Sequence, residues 1–285
     1  MNLPSLRTGL HSWSYRKLLD SGELDVYGFL DDAARIGFKD IELMTGQAGT
    51  VSPHIGSEDL PNLKKIVEYA HSKDLRIHTL STYNDFSITI AEDWRQANIR
   101  YILEWISKAA ALKVPNLRFL TGYIYDKDPL EKLEQLVIEA TKRCAAKAEE
   151  FGINLALENH SSVFLYADEI LSLIEETGSS RLTTCPDPTN GFNISQESDP
   201  QELERMYENL RRLAPKATCA HLKIFGIEHG KLIGYDLDRV ISIFLDSGYN
   251  GPIMFETTDE DFESEIIAEA KSIVDRSIQR LSALA

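Results

Sequence analysis

The amino-acid sequence predicts an α/β protein folded as a (β/α)₈ barrel, and two observations carry that reading. An amphipathic helix, a short turn and a brief apolar strand succeed one another eight times, at roughly 30–40 residue intervals that suit a strand-plus-helix unit. In the last four units the apolar run ends on Glu158, Asp187, His221 and Glu256, separated by 29, 34 and 35 positions. Eight alternations with short connections imply a parallel sheet, and that number closes it into a barrel. A doubly wound open sheet would want fewer units and a glycine-rich phosphate loop after an early strand, and none is visible.

The strands are expected at residues 7–11, 40–43, 76–80, 116–120, 154–158, 182–185, 218–222 and 253–256, each a short apolar run that turns polar at its end. Helical periodicity fills the intervals at 26–36, 60–72, 93–112, 130–151, 167–177, 201–213, 236–245 and 262–281. Gly37, Gly152, Gly178 and Gly248 stand at helix ends, where a left-handed cap favours glycine. The longest irregular stretches, 45–58, 80–90, 122–128, 186–198 and 225–235, all follow strands. That is the face on which barrels of this kind build active sites. With no linker and no low-complexity segment, residues 1–285 read as one domain.

Composition excludes several classes. Hydrophobic residues make up 43% and charged residues 26%, which is a globular balance with ample core. No apolar stretch is long enough to span a membrane, and the N-terminus lacks the apolar segment of a signal peptide. Three cysteines, Cys144, Cys185 and Cys219, at unrelated spacings read as reduced thiols of a cytoplasmic protein. The net charge of −15 and the absence of any basic run argue against nucleic acid, whose phosphates demand Lys and Arg. A small sugar or polyol remains compatible with that charge, as does a homo-oligomer.

Side chains alternate along a strand, so residues two apart share a face. Ala156, Glu158 and His160 share one; so do Cys185 with Asp187, Cys219 with His221 and Lys223, and Met254 with Glu256. A lone carboxylate at a strand end is usually a cap or a surface charge. Four polar groups with one parity at four successive strand ends point to a site for one divalent cation. Three oxygen donors and one nitrogen suit Mn²⁺, Mg²⁺ or Co²⁺, with Zn²⁺ also compatible. Cys185 lies a layer below Asp187 and is expected in the core.

Other pocket candidates follow from position. His160 shares the face of Glu158 and is placed to touch a substrate hydroxyl or carbonyl. Lys223 would neutralise an enolate or pair with a neighbouring carboxylate. Arg118 would clamp a carboxylate or bridge the barrel. His11 and Glu42, ending the first two strands, are expected to hydrogen-bond the distal end of a polyol, and Tyr83 to stack on the substrate or cap the pocket. His54, His71 and His229 read as surface or loop residues.

The stretches LALENH (155–160), CPDPTN (185–190), AHLK (220–223) and MFE (254–256) resemble the sugar phosphate isomerase/epimerase superfamily, with its xylose isomerase-like TIM barrel. The runs at 83–86 and 118–122 fit the same group, and the resemblance spans essentially the whole chain. It implies that Glu158, Asp187, His221 and Glu256 bind one divalent ion, with Glu158 and Glu256 doubling as an acid/base pair acting through an enediolate. The sequence departs from the group's ketose 3-epimerase pattern in two places. Asn190 stands where many of those enzymes carry His, and Ile224, Phe225 and Gly226 follow Lys223 in place of an acidic residue. Asn190 keeps the capacity to hydrogen-bond a hydroxyl.

A metal-dependent isomerase or epimerase of a keto sugar or polyol is therefore the leading expectation. The alternative is a dehydratase of the 3-dehydroshikimate or inosose type, which starts from the same enolate but expels a hydroxyl. An abasic-site endonuclease would need more histidines and a basic surface. A non-catalytic binding barrel would have no need of the intact ligand set.

Overall fold

Eight short apolar strands align in parallel in the computed structural model, which describes residues 6–124, 128–195, 198–258 and 264–284. They are β1 (Arg7–His11), β2 (Asp40–Gln47), β3 (Arg76–Thr82), β4 (Asn116–Phe119), β5 (Asn154–Glu158), β6 (Leu182–Cys185), β7 (Ala220–Ile224) and β8 (Pro252–Thr257). Parallel ladders run in sequence from β1 to β6, and from β1 back through β8 to β7. Between β6 and β7 the seam is thinner. Thr218 N–H donates to the Thr184 carbonyl and His221 N–H to the Pro186 carbonyl, both at 3.1 Å, and these bonds close the barrel. Pro186 follows β6 directly and has no N–H of its own, so a full ladder cannot continue there. The fold is the expected (β/α)₈ barrel.

Helices match the periodicity closely. Val26–Ile36, Leu60–Ser72, Leu130–Phe151 and Ala167–Thr177 have the expected bounds. Aspartates at positions 25, 59, 199 and 236 cap helix starts by accepting a backbone N–H from the first turn. The expected helix start at Asp236 is thus its cap, and the chain becomes helical at Leu237. Of the last predicted helix, 262–281, the first two residues lie outside the described residues, and Ser264–Ser282 is helical.

Several strand ends differ from expectation, and three of them have a local reason. β2 runs on to Gln47 because Gly46 and Gln47 pair antiparallel with Val51 and Thr50. β4 stops at Phe119 because the next amide, Leu120 N–H, donates to Asn84 Oδ1. β7 begins at Ala220, two residues later than expected, at the thin seam.

Inside the barrel, small residues make room for one large one. Ala156, Cys185 and Cys219 form a buried cluster, and the three cysteines are all free thiols. A Cβ on Gly9 would lie 2.4 Å from Met254 Sδ and 3.0 Å from the Asp40 carbonyl. Only glycine lets Met254 fill that layer, directly below Glu256. Around the barrel, Phe29, Trp105, Phe119 and Phe244 are fully buried between helices and sheet. Each such side chain stabilises the fold by roughly 1.5–3 kcal/mol.

Candidate metal centre

Strand parity and the stagger of the barrel bring Glu158, Asp187, His221 and Glu256 to one point at the C-terminal mouth. One ligand atom from each lies within 4.8 Å of the others, and all four residues are buried. His221 Nδ1 is 3.3 Å from Glu158 Oε1 and 3.7 Å from Glu256 Oε2. Asp187 follows Pro186, whose carbonyl accepts from the His221 N–H at the seam. Its loop is pinned to β5 by Asn159, whose amide donates to the Asp187 carbonyl and accepts from the Asp187 N–H. Thr189 donates twice to Asp187 Oδ1.

Behind His221 lies Glu42, wholly buried, with Oε2 3.1 Å from His221 Nε2. Ser81 Oγ donates to the other Glu42 oxygen at 2.6 Å. A carboxylate there fixes the hydrogen of neutral His221 on Nε2 and turns the Nδ1 lone pair toward the carboxylate cluster. Burial lowers the His221 pKa, but Glu42 and Glu158 outweigh it and hold the imidazole well above its ordinary range. A cation and a second proton therefore compete for the same Nδ1.

Burial likewise pushes Glu158 up, and Arg118 and His221 more than reverse it, so the carboxyl lies well below its usual range. Its Oε2 is 3.1 Å from Arg118 Nε, and its Oε1 accepts from Asn190 Nδ2 at 3.0 Å. Glu256 is also lowered: burial opposes ionisation, while Lys223 and His221 favour it. Lys223 donates to Asp187 Oδ2 at 2.8 Å and to Asn190 Oδ1 at 2.6 Å, and stands 3.4 Å from Glu256 Oε2.

These residues fit a divalent cation on their own chemistry. Among the described residues, His221 Nδ1 and Glu256 Oε2 are buried polar atoms with no hydrogen-bond partner, and they face each other at 3.7 Å. Orphaned buried acceptors of this kind are unfavourable unless something completes them. Charge agrees: Glu42, Glu158, Asp187 and Glu256 face two permanent cations, Arg118 and Lys223, so a divalent ion balances the surplus while His221 stays neutral. The oxygen-rich set with one imidazole suits a hard or borderline ion.

A cavity of about 450 Å³ opens over the cluster, lined among others by Tyr83, Arg118, His160, Lys223 and Glu256. Arg118 and Lys223 each serve twice, as ion-pair partners and as cavity wall. Asn190 bridges Glu158 and Lys223 rather than lining the wall. His11 and Glu42 are not where the strand ends alone placed them. Both are fully buried beside His221, with the His11 ring stacked on that of His221 at 5.3 Å, and neither lines the cavity. Burial holds the His11 pKa down at about 4, and the imidazole is neutral there. His54 is also a correction. It is buried, stacked on Trp13 and bonded through Nδ1 to Ser12 Oγ, because the loop after β2 folds back over β1. His71 and His229 are exposed, as expected.

Reading the strand ends misses Asn159, Ser81, Trp13 and Arg16. Asn159 stands inside the LALENH run, where its type already favours backbone hydrogen bonds. Arg16 carries no local signal. It donates to the carbonyls of Thr257 and Thr258 at 3.0 Å and straps down the loop after β8. A larger concavity, about 950 Å³, lies beside Tyr235, Asp238 and Arg280 and contains none of the clustered groups. Convergent ionisable side chains, not size, decide between the two.

Among the described residues, no helix is long and apolar enough to cross a membrane. No curated protein matches the sequence. Among solved structures, an L-ribulose 3-epimerase aligns over 98% of this chain and 97% of its own, with a TM-score of 0.73 and 15% identity. A xylose isomerase domain protein from Planctomyces limnophilus aligns over 98% and 99%, with a TM-score of 0.69 and 15% identity. The IOLI protein with a bound zinc atom aligns over 97% and 98%, with a TM-score of 0.70 and 14% identity. At such identities the likeness establishes the fold. Residues 30–284 match the family described as the xylose isomerase-like TIM barrel, and the chain belongs to that family.

Proposed function

We propose that this protein is a divalent-metal-dependent isomerase or epimerase of a keto sugar or related polyol. The observation that carries the reading is the convergence of Glu158, Asp187, His221 and Glu256 under a cavity that Glu256 helps to line. The solved structures of L-ribulose and D-psicose 3-epimerases that share the fold support it. When bound, the ion supplies Lewis acidity beside a substrate carbonyl.

The chain's own groups do the rest. Glu256, at the cavity wall, removes the proton next to the carbonyl. The proton taken by Glu256 goes back to the neighbouring carbon in an isomerisation; in an epimerisation Glu158 first takes a proton from solvent water and delivers it to the other face, while Glu256 releases its own to water. Lys223 and Arg118 balance the negative charge of the enediolate, and His160 positions a hydroxyl.

A dehydratase is the second reading, favoured by one observation: Arg118, His160 and Lys223 all face the cavity, an arrangement suited to a carboxylated cyclic substrate. The two readings separate in D₂O. Metal-loaded protein incubated with ketoses takes up deuterium next to the carbonyl without losing water if it is an isomerase or epimerase. Conversion of 3-dehydroshikimate to an aromatic product selects the dehydratase. Glu256→Gln should abolish exchange while retaining the metal; full exchange in that variant would overturn the assignment of the base.

A further inference from the structure

The ladder between β1 and β8 ends at the pair Leu10 and Phe255, one residue short of Glu256. In a parallel ladder, a residue opposite Glu256 would donate its N–H to the Phe255 carbonyl and accept the Thr257 N–H. After Leu10, however, the chain turns away from β8 and winds into the short 3₁₀ helix Ser12–Tyr15. One side-chain atom takes over both bonds. Ser14 Oγ donates to the Phe255 carbonyl at 2.9 Å and accepts the Thr257 N–H at 3.1 Å. A hydroxyl can do both at once, since it carries one hydrogen and two lone pairs. Ser14 is buried, so bulk water does not compete for the place.

The tight winding of the segment, three residues per turn, sends successive side chains in different directions. Trp13 lines the cavity, Ser14 meets β8, and Tyr15 packs edge-on against Phe29 at 5.2 Å. Arg16, three positions after Trp13, holds its guanidinium 5.2 Å from the centre of the Trp13 ring. It donates to the carbonyls of Thr257 and Thr258, and the Thr258 N–H donates to the Ile224 carbonyl at 3.2 Å. On the β7 side the strand is in register, Glu256 against Lys223 and Thr257 against Ile224. On the β1 side Ser14 and Arg16 replace the ladder. Strand ends open locally at little cost, and misplacing a reacting group by about 1 Å can slow a reaction about 100-fold.

We propose that Ser14 is a positioning residue for Glu256. Its hydroxyl stands in for the missing rung of the β1–β8 ladder and fixes the Glu256 carboxylate in the donor cluster and at the cavity wall. Arg16 braces the two carbonyls that follow. The inference rests on the reading of Glu256 as metal ligand and base.

Competition against a fluorescent chelator tests it, with Mn²⁺ affinity measured for wild type, Ser14→Ala, Glu256→Ala and the double variant. Ser14→Ala should weaken binding by about tenfold, and by less than about twofold once Glu256 is gone. Equal losses in the two backgrounds, or none in either, overturn the proposal, because a general loosening of the barrel does not depend on Glu256. Arg16→Gln, carried through the same cycle, should show the same dependence. Turnover is read as deuterium uptake next to the carbonyl of D-fructose, D-psicose or L-ribulose, per bound Mn²⁺. Ser14→Ala should lose about tenfold in kcat with KM within about twofold. Ser277→Ala, which removes an equally buried hydroxyl bonded to Asp238, should keep wild-type turnover. Wild-type turnover in Ser14→Ala overturns the proposal. A wild type that exchanges none of the three ketoses, while the affinity cycle holds, sinks the isomerase reading and leaves the positioning role standing.

Discussion

Glu42→Gln removes the negative charge behind His221 while keeping the length of the side chain and an oxygen that can still accept from Ser81. Glutamine can also turn its NH₂ toward His221 Nε2, which removes the preference for a hydrogen on that nitrogen. Loss of a carboxylate partner behind a metal-binding histidine weakens metal affinity by about 10–100-fold, or about 1.4–2.8 kcal/mol. Without metal, Glu42 is the chief partner of a protonated His221, so the melting temperature of the metal-free variant should fall as well. The diagnostic quantity is the further rise produced by saturating metal, which shrinks relative to wild type. At about 2–4 °C per kcal/mol, that shrinkage is roughly 3–11 °C at a fixed metal concentration. Competition against a fluorescent chelator measures the affinity directly. Metal binding by the Glu42→Gln protein within twofold of wild type would refute the argument that Glu42 sets the tautomer of His221.

Three further outcomes are expected. Burial holds the His78 pKa down at about 4, against an ordinary 6.5, so the unfolded chain binds the proton first. Stability from this group is present above pH 6.5 and is lost as the pH falls toward 4, by roughly 3 kcal/mol in all. Urea unfolding of wild type and His78→Gln at pH 7.5 and 4.5 should show a shallower loss in the variant, and parallel losses would discard the assignment. Lys113 closes its helix in the left-handed region at φ 58°, so Lys113→Gly should raise stability by about 0.5–1 kcal/mol in the same assay. Gly9→Ala drives a methyl into Met254 and should lower stability by about 1–3 kcal/mol and reduce activity through Glu256 two residues on. Combining it with Met254→Ala should recover part of both, and strict additivity would count against the contact.

Much of this architecture is legible in the chain because the information is local. Four helices have the bounds their periodicity predicts, since an apolar stripe every three to four residues and a capping aspartate or glycine act within one helix. The parity of Glu158, His221 and Glu256 follows from alternation along each strand, and equal unit lengths bring the strand ends to one level. That regularity, not any long-range pattern, makes the convergence of these side chains legible in the chain.

The supporting groups were not readable in that way. Glu42 and His221 meet across 179 positions, and nothing near either residue distinguishes a polyol contact from a buried orienting carboxylate. His54 sits in a polar loop whose composition says surface, yet closure of that loop over Ser12 and Trp13 buries it. Arg16 reaches Thr257 and Thr258 only because β1 and β8 become neighbours when the barrel closes. Local periodicity and spacing thus determined the barrel and its four converging donors. Burial depth and hydrogen-bond partners were decided by closure, because only closure brings distant strands within the few ångströms over which hydrogen bonds and van der Waals contacts act.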